Sequence, residues 1–405
     1  MESARIVAGL MRLVGDVGRA EDFAQDALLA ALEKWSESGV PDNPGAWLTT
    51  VAKRRALDHL RRVRRVEEKH EEMGRELTVA GAAEEPDADA WLEPVDDDKL
   101  RLVFMCCHPV LSREARVALT LRLLGGLTTD EIARAFLVPV PTLAQRIVRA
   151  KRTLREAQVP FELPPEDELG ERLASVLEVV YLVFNEGYAA TSGEDWTRPE
   201  LCRDALRLGR VLAGLAPREP EVHGLVSLME IQASRLGARV GPDGAAVLLQ
   251  DQDRARWDQI HIRRGLAALK QAQELGGALG PYALQAAIAA CHARARTVEE
   301  TDWEAIAALY DALVQVAPSP VVALNRAVAV GMAFGGEAGL ELLEELDGEK
   351  KLEGYPPLPA VRAHLLQEAG RSEEARSEFL RAASLTRNER EREVLRRRAG
   401  EDGRG

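Results

Sequence analysis

At 405 residues the chain exceeds one ordinary hydrophobic core, so two or three domains are expected. Hydrophobic residues make up 46%, charged residues 29% and aromatics only 4%, which speaks against sheet sandwiches and for an all-α protein. The formal net charge of -13 excludes a uniformly basic nucleic-acid binder, because affinity for phosphates comes largely from Lys and Arg, and leaves only locally basic faces as candidates.

In chain order, residues 3–34 keep apolar side chains at helical spacing, with Ile6, Leu10 and Leu13 and then Phe23, Ala27, Leu28 and Ala31, which predicts two helices. Residues 36–45 (SESGVPDNPG) are dense in turn formers and read as a loop. A third helix is expected from about Ala46 to Arg65. It carries Lys53, Arg54, Arg55, Arg61, Arg62, Arg64 and Arg65, opposed only by Asp58. Residues 66–98 turn Glu-rich and then acidic and Ala-rich without an apolar stripe, as an interdomain linker would. Helical periodicity resumes at Leu100 and runs to about Ala157, where PFELPPEDE closes the segment.

Residues 127–156 (LTTDEIARAFLVPVPTLAQRIVRAKRTLRE) have the layout of a helix-turn-helix. Thr128 and Glu131 form a capping box for the first helix, whose buried face is Ile132, Ala133 and Phe136. Residues 137–140 make the turn, and Pro141 suits the first position of the second helix, where its missing N–H has no partner to lose. Leu143, Ile147, Ala150 and Leu154 fall on one stripe of that helix. Gln145, Arg149 and Arg152 point the other way, Arg146 lies on the flank, and Thr142 stands near the N-terminus, the part of a recognition helix that reaches base edges. Arg and Gln read guanine and adenine edges, whereas Lys151 and Arg155 suit phosphates. The bland reading is an amphipathic helix with a solvated basic face.

From Leu169 to about Arg398 Ala/Leu-rich helical stretches alternate with breaks at 216–220, 276–281, 318–320 and 356–359, the rhythm of a helical solenoid. Gly370, Ala375, Phe379 and Ala382 follow the skeleton of a tetratricopeptide repeat. The beginning of the chain lacks the order of a secretory signal, and no run of about 18 apolar residues spans a bilayer, so a cytoplasmic protein without a membrane partner is expected. Cys106, Cys107, Cys202 and Cys291 have no disulfide spacing. Cys106, Cys107 and His108 lack a second ligand pair for zinc, so buried thiols and no metal or cofactor are expected. Asn185, Glu186 and Tyr188 sit in YLVFNEGY without a nucleophile–base pair or phosphate loop, which favours a polar joint between the extension and the preceding domain over an enzyme site.

Several strings together resemble the two-domain core of extracytoplasmic-function sigma factors. DVGRAEDFAQDALLAALEKW (residues 16–35) resembles that family's second region, NPGAWLTTVAKRRALDHLRRVRR its segment for the minus-ten promoter element, and residues 100–156 its fourth region, for the minus-thirty-five element. FMCCHPVLSREARVALTLRLLGGLTTDEIA, FLVPVPTLAQRIVRAKRTLR and VVYLVFNEGYAA are similar to the group with a C-terminal tetratricopeptide-like extension. The resemblance covers most of residues 3–190; beyond that only repeat rhythm carries it. Two departures stand out: the family usually has residues before the position of Ser3, which leaves the true start open, and Val140 with Pro141 replace polar or small residues at the turn, which leaves the recognition helix's first residue open.

The resemblance implies region 2 over 1–66, a linker over 67–98, region 4 over 99–158 and a repeat-like extension over 159–405. It further implies that Asp22, Gln25 and Asp26 dock on the clamp helices of the largest subunit of core RNA polymerase, that region 4 meets the flap of the second-largest subunit, and that promoter DNA is bound and opened. Spacings of three and four put those three residues on one helix face able to pair with Arg, though a plain solvated face has the same pattern. Asn43 suits a base edge, and Lys53, Arg54, Arg61 and Arg62 suit phosphates of a separated strand. Trp47 is open between base stacking and a core position. The linker is open between a plain tether and a polymerase-channel segment. The repeats offer a surface for a protein partner that restrains or supports activity. The rival reading is a polymerase-independent helix-turn-helix regulator.

Overall fold

Among the residues that the computed structural model describes, 2–74, 95–136, 138–189, 197–241, 246–346, 352, 355–386 and 388–400, the secondary structure is helical apart from isolated bridge residues, among them the antiparallel pair Val240 and Ala246. Chain contacts divide the molecule into two units, Met1–Val179 and Val180–Gly405.

Small side chains decide the packing of the first three helices, α1 (Glu2–Val14), α2 (Val17–Ser38) and α3 (Pro44–Gly74). The buried face of α2 is Ala20, Ala24, Ala27, Ala30 and Ala31. Lacking bulk, it lets α1 (Ile6, Val7, Leu10, Met11) and α3 (Leu48, Ala52, Ala56) approach closely. The sequence expectation put Leu28 on that face. It is instead 38% exposed, with Leu29 at 58% and Leu32 at 73%, because the alanine stripe and not the leucines meets the neighbouring helices. Helix α3 runs nine residues past the expected Arg65, into the Glu-rich stretch. Most of the expected linker, residues 75–94, lies outside the described residues.

Helices α4 (Val95–Cys106), α5 (Arg113–Thr120), α6 (Thr129–Ala135) and α7 (Val140–Glu156) follow, with a π-helical turn at Leu121–Gly125 between α5 and α6. Gly126 ends that turn at φ 74, a left-handed conformation that costs glycine nothing. Leu102, Phe104, Leu119, Leu121, Leu123, Ile132 and Leu143 are fully buried. Helix α8 (Glu166–Tyr188) starts in this first unit. There Ser175 donates to the Cys107 carbonyl at 3.0 Å and Arg172 to the Phe104 carbonyl at 3.2 Å, so the first half of α8 completes the helix-turn-helix core.

The second unit continues through α9 (Pro199–Leu215), α10 (Pro220–Ala233), α11 (Gln259–Glu274), α12 (Pro281–Arg294), α13 (Trp303–Val316), α14 (Pro320–Phe334), α15 (Gly336–Glu344), α16 (Pro357–Glu368), α17 (Ser372–Leu385) and α18 (Glu389–Arg398). Three of the breaks expected from the sequence, 216–220, 276–281 and 318–320, separate helices here, whereas 356–359 lies largely in the first turn of α16, whose prolines need no intrahelical N–H partner there. Each helix packs on the next, so the core passes along the chain: Leu228, Ile231, Leu269 and Ala286, then Ile288, Ile306 and Leu313, then Leu324, Leu343, Leu366 and Phe379. This is the one-dimensional logic of a helical repeat array. A Cβ on Gly339 would stand 2.7 Å from the Ala327 carbonyl oxygen, so the α14–α15 crossing requires glycine there.

Candidate nucleic-acid interface

Helix α6 is set by its capping box. Glu131 N–H donates to Thr128 Oγ1 at 3.2 Å, while Thr128 N–H donates to Glu131 Oε2 at 2.7 Å. Ile132 and Ala133 are buried and Phe136 is half-buried; Leu137, at the turn, lies outside the described residues. Helix α7 begins at Val140, one residue before the expected Pro141, with Pro139 at its N-cap. Leu143, Ile147, Ala150 and Leu154 form its buried stripe as expected. The opposite face therefore carries Thr142, Gln145, Arg149 and Arg152 exposed, with Arg146 half-buried on the flank. Arg152 donates to Glu156 at 2.6 Å. Val148, 64% exposed between them, was not singled out from the sequence; an exposed valine on a basic helix face is the signal that could have found it.

Asn43 is exposed and caps α3: its Oδ1 accepts from Ala46 N–H at 3.0 Å, while Thr49 and Thr50 hydroxyls donate back to the Gly45 and Ala46 carbonyls at 2.8 Å. Trp47 is half-buried against Trp35, ring centroids 5.4 Å apart. Arg54, Arg61 and Arg62 are exposed along α3 and Lys53 is half-buried. Val40, 66% exposed, adds an apolar side chain to the loop before α3.

On α2, Asp22 and Asp26 are exposed and Gln25 is half-buried. Gln25 donates to Glu21 at 2.7 Å, and Asp26 pairs with Arg55 at 3.2 Å. Leu29 and Leu32 extend this face at helical spacing, so it is acidic at one end and apolar at the other.

The sequence reading missed Glu21. Its side chain is 7% exposed and accepts from Arg122 Nε at 2.7 Å and pairs with Lys151 of α7. Beside it Asp16, the N-cap of α2, accepts from Arg19 N–H at 2.9 Å and pairs with Arg155 of α7. Burial works to raise the Asp16 carboxyl, but the Arg155 hydrogen bond and the Arg19 and Gly18 N–H groups outweigh it and hold the group below its usual range. A fourth ion pair, Arg12 to Asp98 at 2.7 Å, joins α1 to α4. Thus Lys151, expected to hold a phosphate, is turned inward at 17% side-chain exposure, and two anions of the N-terminal helices occupy the basic end of α7.

Cys106 and Cys107 are buried thiols; burial pushes both up, Cys107 to about 11, and Cys107 shares a 3.5 Å hydrogen bond with Thr120. His108 Nδ1 accepts from Val110 N–H at 3.2 Å. In YLVFNEGY, Glu186 pairs with Arg198, Tyr188 stacks on Phe184 at 5.8 Å and Asn185 is hydrogen-bonded to Tyr181, all partners within the second unit. No described helix is long and apolar enough to cross a membrane.

Family models match in three places: Sigma-70 region 2 over residues 2–66, Sigma-70 region 4 over residues 101–154, and a family of unknown function, DUF6596, over residues 172–273. An uncharacterized protein of Rhizobium meliloti is 43% identical over 96% of this chain and 91% of its own length. The ECF RNA polymerase sigma factor SigK of Mycobacterium bovis is 30% identical over 38% of this chain and 79% of its own length. The probable ECF RNA polymerase sigma factor SigI of Mycobacterium tuberculosis is 28% identical over 40% of this chain and 54% of its own length, so the match spans about half of that relative. No solved structure matches.

Proposed function

This chain belongs to the extracytoplasmic-function RNA polymerase sigma factors, and we propose that it binds core RNA polymerase through the exposed face of α2 and directs it to promoters through α3 and α7. The observation that supports this reading best is α7 itself. A capped preceding helix and a four-residue apolar stripe fix its rotation, which leaves Thr142, Gln145, Arg146, Arg149 and Arg152 available to base edges and phosphates of the minus-thirty-five element. Region 4 is proposed to meet the polymerase flap at the same time.

At the minus-ten element, Lys53, Arg54, Arg61 and Arg62 follow the phosphates of the separated strand, and the loop before α3 receives an unpaired base. Asn43 spends its oxygen on the α3 cap, so its amide N–H₂ is the group left for that base. Trp47, packed on Trp35, positions the loop. Asp22, Gln25 and Asp26 meet basic residues of the clamp helices, and Leu29 and Leu32 supply the apolar part of that contact. Lys151 and Arg155 reach phosphates only after Glu21 and Asp16 let go, so promoter binding is coupled to separating α2 from α7.

Run-off transcription with purified core polymerase tests this. The full chain should direct transcription from at least one start site; Asp22→Ala with Asp26→Ala should lose polymerase association, and Arg149→Ala should lose promoter selection while still associating. A chain that never associates with core polymerase would overturn the reading.

A further inference from the structure

The second unit holds a buried cationic cluster that the sigma-factor reading does not use. Arg235, Arg239 and Arg254 are 7%, 8% and 8% exposed. Their guanidinium carbons gather around two rings: Arg235 is 5.6 Å from the centroids of both Tyr188 and Trp257, Arg239 is 4.0 Å from Tyr188, and Arg254 is 5.3 Å from Trp257. Cation–π attraction of this kind recovers only about 0.5–2 kcal/mol per contact. The effective penalty of burying a cation is several kcal/mol, so rings alone do not explain three.

Two of the three have other tasks. Arg254 donates to the His292 carbonyl at 3.0 Å, the Ala295 carbonyl at 3.1 Å and Thr301 Oγ1 at 2.8 Å. Arg239 is hydrogen-bonded to Tyr188. Arg235 differs: among the described residues its guanidinium makes no hydrogen bond and no ion pair, and its Nε is buried without an acceptor. Arg254 Nε and Trp257 Nε1, beside it, are buried donors without acceptors as well.

Two carboxylates of this unit, one buried and one half-buried, are committed elsewhere. Glu230 is taken by Arg210 at 2.7 Å and His261 at 2.6 Å, and Glu186 by Arg198. Glu299 and Glu300 favour the charged form of Arg254, but burial and Arg235 outweigh them. Burial, with Arg235 and Arg254, drives His292 down to about 3, and burial, with Arg235, lowers Arg254. His292 therefore stays neutral at ordinary pH and adds no further cation to the cluster.

We propose that Arg235, with Arg239, Arg254 and the Tyr188 and Trp257 rings, forms a binding site for a small phosphate monoester, making the extension a ligand-binding module. A tetrahedral dianion offers several acceptor oxygens to donors that approach from different directions, which suits guanidinium groups gathered from separate stretches of chain better than a planar monocarboxylate does. The flat rings suit an organic group attached to the phosphoryl. The proposal stands on the second unit alone and survives failure of the promoter-binding reading.

The test is calorimetry and thermal unfolding of the full chain in buffer without multivalent anions, using inorganic phosphate, phenyl phosphate, succinate and sodium chloride at matched ionic strength. Both phosphates should bind and raise the unfolding temperature, phenyl phosphate more strongly, with chloride inert. Arg235→Gln should weaken phosphate binding about tenfold or more while leaving the ligand-free unfolding temperature unchanged or higher. If that variant does not fold, Arg235→Lys, which keeps charge and stem but loses the fork, should still bind several-fold more weakly than wild type. Phosphate acting no differently from chloride up to about 10 mM, succinate binding more tightly than either phosphate, or Arg235 variants binding like wild type would each overturn it.

Discussion

Glu21 in the first unit and Arg235 in the second are both ionisable groups removed from water, and they are satisfied in opposite ways. Glu21 is surrounded: Arg122, Lys151 and Gln25 all reach its carboxylate. Arg235 has two aromatic faces and like charges for neighbours. A buried charge whose partners come from the same fold holds that fold in one arrangement, here α2 against α7. A buried charge without such partners carries a desolvation cost that its own fold does not offset. On the proposed readings, the first unit keeps these ion pairs until DNA or polymerase competes, and the second unit responds to a phosphate ligand.

Removing the surrounded charge should have the largest effect. Glu21→Ala leaves Arg122 and Lys151, 21% and 17% exposed, without their anion and should cost the first unit about 3–5 kcal/mol, read as faster hydrogen exchange of α2 and α7 amides. Glu21→Gln keeps the shape and one acceptor. It should bind non-specific duplex DNA more tightly than wild type, with a salt dependence steeper by about one ion as Lys151 joins the contact. Unchanged exchange and unchanged salt slope would mean that Glu21 does not hold α7.

The second unit's counterpart is a pH effect. His292 titrates at about 3 when folded against an ordinary 6.5, so the unfolded chain takes up the proton first. Stability is full above pH 6.5 and falls as pH drops toward 3, by up to about 1.4 kcal/mol per unit and about 2–3 kcal/mol in all by pH 4.5. His292→Gln should flatten that slope in the unfolding temperature between pH 6.5 and 4.5. An equal slope in the variant would show that the field around Arg235 and Arg254 is weaker than their burial implies.

On α7 the contrast is between residues that Glu21 and Asp16 hold and residues they leave alone. Arg149→Ala should cost about 1–3 kcal/mol of specific promoter binding and relax selection at one position. Arg155→Ala should lose less, uniformly across sequences, since in the free chain that arginine is already spent on Asp16. Band-shift affinities on a promoter and on scrambled duplexes separate the two.

What could be read before folding follows the range of the interaction. The stripe Leu143, Ile147, Ala150 and Leu154, the Thr128–Glu131 box and the breaks between later helices depend on residues three or four apart, and periodicity exposes them. On α2 the reading placed Ala27 and Ala31 inside correctly but Leu28 wrongly, because a leucine announces burial more loudly than an alanine, although a tight helix pair wants the smaller residue. Glu21 meets Arg122 across 101 positions of sequence, and Arg235 and Arg254 come together with Tyr188 from three separate stretches of chain. No local pattern marks such residues. A glutamate in an acidic helix and an arginine near a helix end are ordinary until the fold removes their water.

The smallest effect separates structure from recognition at one side chain. Asn43 caps α3 through its oxygen and leaves its amide nitrogen to the proposed base contact. Asn43→Ala removes both and should lose about 1 kcal/mol of helix stability together with promoter opening. Asn43→Asp keeps a capping oxygen, places a negative charge favourably at a helix N-terminus and removes the donor. Its unfolding temperature should match or exceed wild type while permanganate reactivity of the opened promoter falls. If Asn43→Asp opens promoters as well as wild type, the side chain serves the cap alone, and the unpaired base is held by other groups of the loop.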